Sequence, residues 1–297
     1  MHDLVVVIVS WNGKELLRDC LASLAGAGQG LSVRTVVVDN ASADGSANMV
    51  AREFPAVELI QITENLGFAR ANNIALRRYT DVSRYFLLLN PDTVASAHAF
   101  CRMIEFMDTH PEAGIIGCKL VKPNGTLDWA CKRSYITPSV LVYKALGLDR
   151  LFPHSPRFGR YQLTYLDENQ IHEVDSVVGA FLFFRRECLQ DIGLLDETAF
   201  MYGEDLEFCF RAKNRGWKVF YVPTATVIHH KGQSTGRRSY RMIYHWYYST
   251  WLVYRRHIAP RHSLITNALV AAGFHAMCAA SLFANLFRRR KRVPGRQ

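Results

Sequence analysis

Negative charge is what this chain lacks at its C-terminal end. From Arg237 onward there are twelve Lys and Arg residues and no Asp or Glu, so the formal charge of +10 belongs to that tail. The region before it is close to neutral. A tail of this kind points to an anionic partner, either lipid headgroups or nucleic acid. Paired cysteines are missing too. The seven present (Cys20, Cys101, Cys118, Cys131, Cys188, Cys209, Cys278) are scattered, odd in number and never arranged as CxxC. That arrangement suggests neither a disulfide framework nor a thiolate zinc site. No GxGxxG follows a strand-like run, and GQG at Gly28–Gly30 precedes one instead, so a dinucleotide-binding turn is not expected. Internal repeats and low-complexity runs are absent. The first apolar run, Leu4–Val9, has a strand's length and is too short for a signal peptide.

What is present is an alternation of strands and helices. LVVVIVS (Leu4–Ser10), VRTVVVD (Val33–Asp39), VELIQI (Val57–Ile62) and YFLLLN (Tyr85–Asn90) read as buried strands. Helical periodicity follows the first three, over about Lys14–Leu24, Ser46–Glu53 and Ala69–Tyr79. Such spacing predicts an α/β domain with a mainly parallel sheet and helices on both faces. Sites in these sheets form at the carboxyl ends of strands, here Ser10, Asp39, Thr63–Asn65 and Asn90–Asp92. From Lys119 to His172 the periodicity is poor, and the segment reads as an excursion beside the sheet. Order returns at Val174–Glu187. GEDLEFCFRAKNRGW is a helix with Gly216 as its stop signal, and KVFYVP is a short strand closed by Pro223.

Several polar residues could carry chemistry. Asp39 ends a strand, where a carboxylate can accept hydrogen bonds from a base edge or a ribose hydroxyl; it could equally begin a helix cap. Asn90-Pro91-Asp92 ends the fourth strand, and Asp92 can bind a hard divalent cation that bridges phosphates. His229 and His230 follow an apolar strand. Neighbours on a strand point to opposite faces, so one of the two at most would complete that site, with Mn²⁺ or Mg²⁺ as the suitable ion. Glu204 and Asp205 start a helix, where acids are favoured electrostatically, and either could also be a general base.

In their order these blocks resemble the family 2 glycosyltransferases of GT-A fold, in particular the bacterial rhamnosyltransferase-like branch that builds cell-surface polysaccharides. The stretches are VVIVSWNGKELLRDCLASL, VVVDNASADGS, NLGFARANN, FLLLNPD, VVGAFLFFRRE, FMYGEDLEFCFRAKNRGWKVFYVP and VIHHKGQS, covering residues 3 to about 235. The resemblance implies that Ser10, Asn12 and Asp39 hold the nucleobase and ribose. Asn65, with Asn72 in the stretch behind it, would line the donor phosphates. Asn90-Pro91-Asp92 stands where the family's DxD motif stands, with Asn90 a donor-binding variant of its first acid and Asp92 the metal-binding carboxylate. Asp205 would be the catalytic base and Glu204 its neighbour. His229 aligns best with the metal-contacting histidine, His230 being second choice. The implied reaction is an inverting transfer, most often from dTDP-L-rhamnose, to a hydroxyl of a lipid-linked glycan acceptor. UDP-hexose donors and a non-catalytic scaffold remain the alternatives.

The predicted organisation is a catalytic domain over 1–235 and a basic, aromatic-rich helical tail over 236–297. LITNALVAAGFHAMCAASLFANLF (Leu264–Phe287) is uncharged and long enough to cross a bilayer. Yet Asn267, His275, Cys278, Ser281 and Asn285 share one face, and basic clusters flank both ends: Arg255, Arg256, Arg261 and His262 before it, Arg288–Arg292 after. A helix lying in the interface fits these facts better than a span. Packing on the catalytic domain, or a homodimer through these helices, is the alternative. The expected location is the cytoplasmic face of the inner membrane, peripheral, on an anionic lipid surface. Nucleic acid is not expected as a partner, because the Arg clusters flank apolar helices rather than a groove-reading element.

Overall fold

The computed structural model describes residues 1–230 and 240–287. Four strands form its parallel half: β1 (His2–Ser10), β2 (Val33–Asn40), β3 (Glu58–Ile62) and β4 (Ser83–Leu89). Helices α1 (Lys14–Ala27), α2 (Ser46–Glu53) and α3 (Phe68–Tyr79) connect them. Leu4–Ile8 of β1 and Val36–Val38 of β2 are fully buried, as expected for strands covered on both faces. The remaining elements are β5 (Thr93–Ala95), α4 (Ala99–Thr109), β6 (Ala113–Val121), α5 (Pro138–Ala145), α6 (Leu148–Leu151), β7 (His172–Glu173), β8 (Phe181–Arg185), α7 (Arg186–Ile192), α8 (Glu204–Asn214) and β9 (Lys218–His229).

Among the described residues the strands make one sheet in the order β3-β2-β1-β4-β8-β6-β9-β5, with β7 beside β9. This sheet is mixed rather than mainly parallel. β8 enters antiparallel between β4 and β6, pairing Phe183 with Leu87 on one side and with Ile116 on the other. The continuous apolar run Phe181–Phe184 reports burial on both faces but carries no information about direction. β9 is also longer than expected, because Pro223 does not end it. The register slips between Cys118, paired with Val222, and Lys119, paired with Thr226. Pro223–Ala225 therefore bulge out of the ladder, a place where a missing N–H costs nothing.

The chain ends in α9 (Tyr240–Val253), a π-helical turn over Tyr254–Ile258, a short 3₁₀ turn and α10 (Leu264–Leu286). Ile258, Val270 and Phe274 form a small second core with Val140 and Leu141 of α5 and Phe210 of α8. Part of the polar stripe of α10 packs inward against the chain, while His275 on the same face stays exposed. Asn267 accepts from the Tyr254 hydroxyl at 2.8 Å, Ser281 lies 2.7 Å from the Tyr247 hydroxyl, and Asn285 is buried. The outward face is apolar, with Leu264, Ile265, Leu269 and Phe283 all exposed. By length and composition alone α10 could cross a membrane. The expected cluster Arg288–Arg292 and the expected boundary at 235/236 lie outside the described residues.

Candidate functional site

The carboxyl ends of β1 and β2 form the first part of the site. Ser10 and Asp39 are register partners across this pair. Asp39 Oδ2 accepts from the Ser42 amide at 3.1 Å, while its Oδ1 and the Ser10 hydroxyl are buried with no hydrogen-bond partner. Two adjacent orphaned polar atoms suit a ligand that supplies hydroxyls or ring N–H groups. Asn12, at a positive φ of 52°, accepts from the Ala43 amide at 2.7 Å and braces this mouth. Asn65 accepts from Asn40 Nδ2 and from the Gly67 amide, both at 3.0 Å, so its carbonyl oxygen shapes the loop before α3. Asn72 is buried on α3, donates to Phe68 O at 2.9 Å, and has an unpartnered Oδ1.

Gly67 sits at φ +82°, and a Cβ there would meet Phe200 O at 2.1 Å. Phe200 O in turn accepts from the Phe68 amide at 3.1 Å. The loop between α7 and α8 is thereby seated on the first turn of α3. Asn73, the last residue of the NLGFARANN stretch and not among the expected site residues, holds the same loop through Leu195 O at 2.9 Å and Glu197 at 2.8 Å.

The second part lies where β5 pairs with the end of β9, Thr93 opposite His229. This pairing sets His229 Nε2 3.4 Å from Asp92 Oδ1, both side chains being buried. His230 contributes its backbone, donating to Asp92 O at 2.8 Å, so the imidazole that meets Asp92 is that of His229. The other ring nitrogen, Nδ1, is 3.0 Å from Asp128 Oδ2. Burial on its own would lower the His229 pKa, but hydrogen bonds to Asp128 and Asp92 and their charges outweigh it, raising the pKa to about 9. The 3.4 Å separation of Asp92 and His229 approaches the edge of an octahedron, about 3 Å, around a small hard divalent cation. Among the described residues no group of three ligating side chains converges. A carboxylate with substrate phosphate oxygens and water is a usual setting for Mg²⁺, so Asp92 fits such a cation without a third protein ligand.

The third part is the N-terminus of α8. Asp205 Oδ2 accepts from Arg133 Nη2 at 2.6 Å and from the Gly179 amide at 2.9 Å. The Asn90 amide donates to Ala180 O at 3.0 Å, so the Asn90–Asp92 turn and Asp205 are tied to one short stretch of chain. Glu204 lines a cavity together with Tyr202, Ser249, Leu252, Arg256 and His257. Its Oε2 is buried without a partner, and burial followed by the charge of Asp205 pushes its pKa up to about 8. Sequence reasoning missed Asp128 and Arg133, both in the poorly patterned middle. Neither stands at a strand end or in a recurring spacing, so no local signal could have found them.

A mixed sheet covered on both faces, with polar residues gathered at one edge, is a GT-A-like fold. Two solved structures share it: GalNAc-T7 with UDP, GalNAc and Mn²⁺ (TM-score 0.60, 14% identity, 86% of this chain and 48% of that one), and the mannosyltransferase PcManGT of Pyrobaculum calidifontis with GDP-Man and Mn²⁺ (0.54, 17%, 96% and 88%). Residues 2–249 match the family model described as glycosyltransferase like family 2, and the chain belongs to that family. It is rhamnosyltransferase-like within it. It is 28% identical to the N-acetylglucosaminyl-diphospho-decaprenol L-rhamnosyltransferase of Mycobacterium tuberculosis over 99% of this chain and 98% of that protein. It is also 25% identical to rhamnosyltransferase WbbL of Escherichia coli K12, over 55% of this chain and 61% of that one.

Proposed function

We propose that this protein is an inverting glycosyltransferase that moves L-rhamnose from dTDP-rhamnose to a hydroxyl of a lipid-linked, diphosphate-bearing glycan. The observation that carries this reading is the convergence of three features at one sheet edge: the orphaned Ser10 and Asp39 atoms, the Asp92–His229 pair and Asp205. The likeness over nearly the full length to a rhamnosyltransferase with a lipid-diphosphate acceptor supports the substrate pair.

Ser10 and Asp39 bind the nucleoside. Asn65 and Asn72 line the donor phosphates in this reading, and Asn90 opens the motif that carries Asp92. Asp92 and His229 would hold Mn²⁺ or Mg²⁺, which supplies positive charge to neutralise the departing diphosphate. Asp205 takes the proton from the acceptor hydroxyl as that oxygen bonds to the anomeric carbon. The bond from that carbon to the diphosphate breaks on the opposite face, and its electron pair leaves with dTDP. One displacement inverts the centre. One observation favours a second assignment of the base: Glu204 has the raised pKa and the cavity, whereas Asp205 is held by three donors, Arg133 and the Gly179 and Leu206 amides.

The decisive experiment measures binding and turnover of dTDP-rhamnose, UDP-glucose, UDP-galactose, UDP-N-acetylglucosamine and GDP-mannose, with and without Mn²⁺ or Mg²⁺. Metal-dependent use of dTDP-rhamnose, lost in Asp92→Ala, is the expected result. Preference for a UDP-hexose overturns the donor, and no binding of any donor overturns the reaction class.

The exposed apolar face of α10, with Arg255, Arg261 and His262 exposed nearby in sequence, supports peripheral attachment to the cytoplasmic leaflet. Flotation with phosphatidylglycerol vesicles should recover the protein, and Leu269→Gln with Phe283→Gln should release it. A soluble dimer that ignores vesicles would assign that face to a second copy.

A further inference from the structure

We propose that the turn from Asp128 to Arg133 is a positioning bracket that fixes the Asp92–His229 pair and the Asp205 carboxylate relative to one another. The inference rests on the proposed function and adds two residues to it. Neither is a catalytic residue, since each acts through another side chain.

The turn is rigid. Its 3₁₀ core, Trp129–Cys131, is closed by Cys131 N–H on Asp128 O at 3.0 Å and by the Asp128 carboxylate accepting from the Ala130 amide at 3.2 Å. Its entry is tied to β6 through the Asp128 amide and Leu120 O at 2.8 Å. Its exit is tied by a two-way bridge between the backbones of Arg133 and Ser176, at 2.9 and 3.0 Å. Between them the fully buried Lys132 donates to Leu163 O at 2.6 Å. A segment held on so many sides can transmit position.

Each end of the turn grips one half of the site. At the entry, Asp128 Oδ2 stands 3.0 Å from His229 Nδ1. A histidine that ligates through Nε2 carries its proton on Nδ1, and a carboxylate accepting that proton fixes both tautomer and ring plane. At the exit, Arg133 Nη2 donates to Asp205 Oδ2 at 2.6 Å and to Val177 O at 3.0 Å. The guanidinium, the Gly179 amide and the carboxylate then form one buried unit. Metal pair and base come from segments distant in sequence, and this turn touches both.

The test uses the full chain and measures Mn²⁺ affinity in the presence of dTDP, from the free-Mn²⁺ resonance signal, alongside kcat, donor KM and Tm. Asp128→Ala should weaken Mn²⁺ about 10- to 100-fold, the range for losing such an outer partner, and Asp128→Asn, which keeps an acceptor, should recover part of it. Arg133→Met should leave Mn²⁺ affinity and donor KM in place while lowering kcat about 100-fold, and Arg133→Lys should restore much of that. Parental Mn²⁺ affinity in both Asp128 variants, or parental kcat in Arg133→Met, overturns the bracket. If the unmodified protein binds no Mn²⁺ with dTDP, the functional reading falls, and the bracket with it.

Discussion

The two halves of the sheet prepare for ligands in opposite ways. On the parallel side, Ser10 and Asp39 present buried polar atoms with nothing to bond. On the mixed side, His229 and Asp205 are already gripped by Asp128 and Arg133. An unsatisfied buried polar atom costs stability until a ligand meets it, whereas a paired one stabilises the fold beforehand. Under the proposed function the first half is then a receptor held open, and the second a preorganised set of chemical groups. Orientation is worth most where bonds change, so the rigid half is the one assigned the chemistry.

That contrast is broken or sharpened most strongly by comparing Asp205→Asn with Asp39→Ala. The first should lower kcat by about 10²–10⁴, the range for a general base. It should also cost several kcal/mol of stability, because it strips the charge opposite a buried Arg133. Asp39→Ala should instead weaken dTDP by about 10- to 100-fold, the worth of a hydrogen bond to a charged group, with a much smaller fall in Tm. Titration calorimetry and thermal unfolding of both variants read the comparison directly. Equal stability losses would erase the distinction between an open and a prepared half. Near-parental kcat in Asp205→Asn, with a large loss in Glu204→Gln, would transfer the base role to Glu204.

The smallest expected effect concerns pH. The Glu204 pKa is raised in the folded state by burial and then by Asp205, so folding favours its protonated form. Its contribution to stability is fully present below the ordinary carboxylate pKa and is lost as pH rises through about 8. The Tm of the unmodified protein should therefore fall between pH 5 and pH 9 by a few degrees more than that of Glu204→Gln. Parallel Tm profiles would show that the carboxyl group is solvated after all.

The same division governs how much could be read from sequence. β1 to β4 and their helices lie close to where periodicity puts them, because each strand–helix unit carries its own local pattern. The placement of Ser10, Asp39 and Asp92 at or just beyond strand ends was legible for the same reason. Strand direction in the other half was not legible, since Phe181–Phe184 would look the same in either sense. Pro223 was misleading, because a bulge absorbs it. Asp128 and Arg133 were invisible, as their roles depend on partners far along the chain. In the tail, the shared polar face of α10 was legible from spacing, but not that Tyr247 and Tyr254 would meet Ser281 and Asn267 on it, since those partners lie on another helix and turn.

The contact at Gly67 has a mechanical meaning. No side chain fits between it and Phe200, and Asn40 Nδ2 reaches the Gly67 carbonyl at 3.2 Å. If the loop before α8 shifted to admit an acceptor, it would pull on the first turn of α3 and, through Asn40, on the end of β2. The wall facing one substrate and the floor beneath the other would then behave as a linkage rather than as separate flaps. In such a linkage, arrival of either substrate is felt as strain at the seat of the other.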